Sequence, residues 1–164
     1  MRGRKKKMKR VVSILMICLV LVGLLAGCSS KPSAFTATME ADGEKTEMVV
    51  EGKGDKVEKI TQTTTIDIAE FGEAEREALE GPLEDAKAEM QSQLAGIEGV
   101  THTIEVVGDD IVEIMTIDAT NSESLDKLST SGILPLEGET SKLSMKQSKD
   151  GLQSGGFTIT EATE

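Results

Sequence analysis

The stretch "VTHTIEVVGDDIVEIMTID", residues 100–118, decides the fold. Val100, His102, Ile104 and Val106 recur at every second position, the period of a strand with one face on a core. "VGDDI" (107–111) supplies a hairpin turn, and "IVEIMTID" (111–118) its partner strand. A two-residue period on both sides of a glycine–aspartate turn demands an antiparallel sheet.

Upstream the same period returns. Phe35, Ala37, Met39 and Ala41 alternate with Thr36, Thr38 and Glu40. "ADGE" (41–44) is a turn with Asp-Gly at its centre, Lys45 to Glu51 a second strand, and "EGKGD" (51–55) a second turn. "KVEKITQTTTIDI" (56–68) is a third strand with Ile60, Thr64, Ile66 and Ile68 in phase, and its β-branched content disfavours a helix. Val57 lies out of phase, which predicts a bulge near Glu58-Lys59.

Between the meander and the hairpin the period changes. Leu79, Leu83, Ala86, Met90, Leu94 and Ile97 follow steps of three and four. With Pro82 tolerated at a first helical position, the pattern predicts a loose lead-in at 73–80 and a firm helix at 82–95, closed by Gly96. After the hairpin, "NSESLDKLST" (121–130) predicts a short helix capped by Asn121 or Ser122. "KLSMKQSKDGLQSGGF" (142–157) predicts a last helix capped near Ser144 and ended by Gly155. The expected order is βββαββαα: an α+β domain with an antiparallel sheet of about five strands and helices packed on one face.

The N-terminus is of another kind. "MRGRKKKMKR" carries seven basic residues and no acid, and Val11 to Gly27 runs without a charge. This is an export signal, and 17 residues is also the lower edge of a membrane span. Its end, Leu25-Ala26-Gly27-Cys28, resembles the lipobox of bacterial lipoproteins, in which the cysteine thiol accepts diacylglycerol after cleavage between Gly27 and Cys28. Cys18 follows Leu15-Met16-Ile17, bulky residues that do not fit that pattern. We therefore expect a signal peptide at 1–27, a lipidated tether at 28–34, and a single domain at 35–160, held by its acyl-glyceryl anchor on the extracytoplasmic face of the cell membrane. "SSKPSA" (29–34) spans about 20 Å fully extended, so the domain sits close to the bilayer.

Cleavage changes the electrostatics. Removing the seven basic residues of the signal leaves 11 Lys and Arg against 29 Asp and Glu, a formal charge of −18 in place of −11. So acidic a chain excludes nucleic-acid binding through a basic patch. With Cys28 acylated no thiol remains to form a disulfide, and stability must come from a core.

Two segments, "GIEGVTHTIEVVGDDIVEIMTIDAT" (96–120) and "LDKLSTSGILPLEGETSKLSMKQSKDGLQSGGF" (125–157), resemble the YehR-like bacterial lipoproteins. "DGEKTEMVVEGKGDKVEKITQTTTI" (42–66) fits that family's opening strands. The marks are structural: "GVTH" before the fourth strand, the "LS" helix, and the "GGF" after a Ser-capped helix. The resemblance implies a lipid-anchored envelope protein of this fold. The family's function is unknown, so it implies no activity.

Candidate chemistry is sparse. His102 is the single histidine, and on an apolar phase it reads either as a catalytic base or as a half-buried residue bonded to a neighbour. No G-x-S-x-G elbow accompanies it. Asp109 and Asp110 are candidates for a calcium site, yet no EF-hand loop occurs and the hairpin explains them. Glu73, Glu75, Glu77, Glu80 and Glu84 read as a solvated helix face. There is no Trp or Tyr, and Arg76 is the one arginine outside the signal, so aromatic platforms and arginine clusters for sugars or phosphates are missing. No cofactor is implied. Two functional readings follow: a non-enzymatic module that binds an envelope protein or a small apolar ligand, and a small hydrolase using His102 with Asp109 or Asp118.

Overall fold

The computed structural model describes residues 21–22, 32–134, 136–137 and 142–161. The expected signal sequence and Cys28 lie outside the described residues, apart from Leu21–Val22, which pair in parallel with Leu136–Glu137.

The first three strands form the expected meander: β1 (Pro32–Ala41), β2 (Glu44–Lys53) and β3 (Lys56–Asp67). Asp42 and Gly43, at φ 53° and 82°, make the turn between β1 and β2, the conformation for which Asp-Gly is favoured. The bulge foreseen from Val57 is present: Lys59 pairs with Glu51 and Val57 with Gly52, leaving Glu58 unpaired. The extra residue returns Val57 to the core, where it is fully buried.

A short helix, α1 (Glu73–Glu77), and a longer one, α2 (Glu80–Gln93), follow. The longer helix begins at Glu80 rather than at Pro82, because Pro82 still lies in the first turn, where no intrahelical N–H bond is required. The hairpin of β4 (Val100–Val107) and β5 (Asp110–Asp118) turns at Gly108, whose φ is 64°. Helix α3 (Ser122–Thr130) is capped by Asn121, whose Oδ1 accepts from the Ser124 amide at 3.2 Å. Helix α4 (Met145–Ser154) is capped by Ser144, whose Oγ accepts from Gln147 at 3.2 Å, and ends at Gly155.

One strand of the main sheet was not foreseen, nor was the short Leu21–Val22/Leu136–Glu137 pair. β6 (Thr158–Glu161) pairs with Phe35–Thr38 of β1, giving six strands in the order β4-β5-β3-β2-β1-β6. Four residues are too few to show a period, and their pairing partner is more than a hundred positions away.

Because paired residues share a face, the register lays out the inner surface in rows across the sheet. Val100, Ile117, Ile60, Val50 and Phe35 form one apolar row. Around it gather Leu125 and Leu128 of α3 and Met145 and Leu152 of α4. At the other end Ile111 and Ile66 pack with Ile68, Ile104 and Leu79 in a second, smaller cluster. The outer face bears ten threonines of the sheet, among them Thr36, Thr61, Thr101, Thr116 and Thr160, a composition suited to an exposed strand surface.

The turn between β2 and β3 also anchors α4. Asp55 accepts from Ser144 Oγ at 2.8 Å and from the Lys146 amide at 2.9 Å, while its carbonyl accepts from Met145 N at 2.8 Å. One aspartate thus satisfies the exposed donors of a helix start some ninety residues away.

Candidate functional site

Between the two apolar clusters the inner face turns polar. The rows there contain His102, Met115, Gln62 and Met48, then Ile104, Glu113, Thr64 and Thr46, with Glu44 next along β2. His102 Nε2 lies 2.7 Å from Glu113 Oε1, the two side chains being 3% and 13% exposed. Since a carboxylate accepts, Nε2 carries the hydrogen and donates; Nδ1 is buried and has no partner among the described residues. Thr46 Oγ1 donates to Glu44 at 3.4 Å, and Gln62 to Thr64 at 3.4 Å. Burial pushes the Glu44 carboxyl above the usual carboxylate range, the Thr46 hydrogen bond opposes this, and the nearby Glu113 charge adds to it.

Helix α2 spans this seam. Leu79 and Leu83 join the smaller cluster and Leu94 the larger, so the helix runs from one to the other, yet none of its own residues is fully buried. A polar band beneath a weakly embedded helix has a stability cost. Replacing Glu44 by Gln is expected to raise stability at pH 7, because the folded state no longer holds a buried charge. The gain should vanish below pH 4.5, Glu44's ordinary value, where the carboxyl is protonated folded or unfolded. Urea titrations at both pH values check this.

The inner face of the sheet encloses His102. It is sealed from solvent, and its donating nitrogen is committed to Glu113. Asp109 lies in the hairpin turn, 2.7 Å from Arg76 Nη2, and Arg76 also donates to the Phe71 and Gly108 carbonyls. Asp110 pairs with Val107 at the start of β5. Asp118, at the far end of β5, accepts from the Thr120 hydroxyl and amide, which holds its carboxyl below the usual range. The structure therefore brings His102 to Glu113, and not to Asp109 or Asp118. Among the described residues no group of three or more metal-ligating side chains forms. His102→Ala, which strands Glu113, is expected to cost about 3 kcal/mol, and His102→Gln about 1 kcal/mol, as read from urea midpoints.

A second feature is on the outside. β4 is an edge strand of eight residues, paired to β5 without a register break. It contains no Pro and no Lys, devices that blunt exposed edges. The exposed large hydrophobic residues among those described are Val106 (48%) and Val107 (54%), both at the end of this strand. The opposite edge is different: β6 is only four residues long, and its Glu161 pairs with Lys149 of α4. Glu113, and the place of β4 at the border of the sheet, escaped sequence reading. A signal for Glu113 existed, since it shares the phase of Ile111, Met115 and Ile117.

Six antiparallel strands with helices packed on one face define an α+β domain. The chain belongs to the family described as "Protein of unknown function (DUF1307)", whose model matches residues 33–158. It is 31% identical over 153 residues to the uncharacterized lipoprotein Lmo0207 of Listeria monocytogenes serovar 1/2a, covering 93% of this chain and 96% of that protein. It is 28% identical over 156 residues to the uncharacterized lipoprotein Lin0239 of Listeria innocua serovar 6a, covering 95% and 99%. The NMR structure of E. coli YehR is similar in fold, with a TM-score of 0.60 at 21% identity over 84% of this chain and 96% of that one. Both curated relatives are named lipoproteins, and the family they share with this chain has no assigned function.

Proposed function

We propose that the protein is a non-enzymatic binding module, held at the extracytoplasmic face of the membrane through lipid on Cys28, that takes a partner strand at the edge of β4. The observation that carries this reading is the coincidence of an edge strand without Pro, Lys or a register break with the exposed pair Val106 and Val107. Strand addition supplies main-chain hydrogen bonds for affinity and leaves alternate side chains to select the partner. The Leu25-Ala26-Gly27-Cys28 sequence supports the anchor, and a short tether keeps the domain near the bilayer. Among the described residues no helix is long and apolar enough to cross a membrane.

Lysines at the edge test it. Val106→Lys with Val107→Lys is expected to change stability by no more than about 0.5 kcal/mol, as exposed substitutions do, while removing cross-linked assemblies of the protein from membrane fractions. Thr158→Lys with Thr160→Lys at the β6 edge is the control and should leave those assemblies in place. Loss from the control alone would contradict the reading.

A further inference from the structure

We propose that the occupant of the β4 edge is a cationic extended polypeptide segment, with basic residues on the outer face opposite Glu105 and an apolar residue on the inner face against Val106. This rests on the binding-module reading and adds the chemistry of the partner. An added strand would align with Thr101, Thr103, Glu105 and Val107 on the outer face and with Val106 on the inner one. Glu105 is the one charged residue of β4 and is exposed. Glu98 precedes the strand, and Glu80, Glu84, Asp85 and Glu89 are exposed on α2, which packs on β4.

The basic residues of this neighbourhood are already matched. Lys87 lies 3.6 Å from Glu84, and Arg76 is 2.7 Å from Asp109. The edge therefore presents hydrogen-bonding backbone and two exposed valines beside an excess of carboxylates: Glu80, Asp85, Glu89, Glu98 and Glu105 have no ion-pair partner among the described residues, while Glu84 is held by Lys87. A positively charged strand gains from that excess at encounter and in register. A second copy would not: pairing β4 with itself sets the two acidic α2 helices on one shared sheet, in a chain whose formal charge without residues 1–27 is −18.

The test uses the acylated protein in phosphatidylcholine vesicles, which carry no net charge to attract the peptides. The probes are three end-blocked, fluorescein-labelled peptides matched to the eight residues of β4, alternating Val with Lys, Ser or Glu. Binding is read by anisotropy, and its place by amide hydrogen exchange. The expected result is that the Lys peptide binds best, slows exchange across 100–107, and weakens as salt rises. Glu105→Lys should weaken the Lys peptide about tenfold and improve the Glu peptide, with the thermal melt confirming an intact fold. Equal binding of the Ser and Lys peptides at β4 would overturn the charge assignment and leave the strand-acceptor reading standing. Failure of all three to slow exchange in β4 would overturn both. Slowed β4 exchange in a concentration-dependent dimer without peptide would make a second copy the occupant, and would overturn the cationic partner.

Discussion

Gly52→Ala is expected to cost about 3 kcal/mol or more, a large part of the roughly 5–15 kcal/mol that holds a domain together. Gly52 sits where the register shifts, opposite Val57. A Cβ there would overlap the backbone carbonyl oxygen of Lys56 and come within 3.0 Å of Met145 Sδ. A flexible side chain can move aside, but the carbonyl belongs to the strand whose bulge returns Val57 to the core. The substitution therefore forces apart the turn that also caps α4 through Asp55. Gly43→Ala is the comparison: φ is +82° there but the space is open, so only the conformational cost of about 1 kcal/mol is due. Urea unfolding of the pair reads the difference. Equal losses would mean that close packing at Gly52 is not what matters.

Cys28→Ala is expected to have the second large effect, on location rather than stability. With no thiol to acylate, the lipidated mature form disappears, and the chain accumulates with residues 1–27 still attached. Mass spectrometry of the N-terminal peptide and membrane fractionation read this directly. Cys18→Ala should leave processing unchanged, since that cysteine lies within the apolar run of the signal. An acylated species in the Cys28→Ala protein would contradict the assignment.

Local rules were legible wherever a residue acts on its near neighbours. The Asp42-Gly43 turn, the bulge behind Val57, and the caps at Asn121 and Ser144 all rest on contacts a few positions apart, and all are present. Long-range pairing was not legible. The β6 strand depends on an opening at the β1 edge, and the His102–Glu113 pair joins residues eleven apart across a hairpin. His102 was visible as a polar residue on an apolar phase, but its partner was sought among acids of the turn and strand end. Glu113 was hidden by a strand otherwise rich in isoleucine and valine. The vulnerable edge was equally hidden, because whether a strand lies at the border of a sheet is a property of topology and not of its own residues.

The proposed strand acceptor works only if the β4 edge is offered from a lipid-anchored position. The most direct measurement places a photo-reactive amino acid at Val107 or, in a second protein, at Thr160, and irradiates intact cells producing the acylated form. Discrete adducts are expected from Val107, lost when Cys28 is replaced by Ala, with no matching adducts from Thr160. Adducts from Thr160 alone, or adducts from Val107 that do not depend on Cys28, would contradict the strand-acceptor reading.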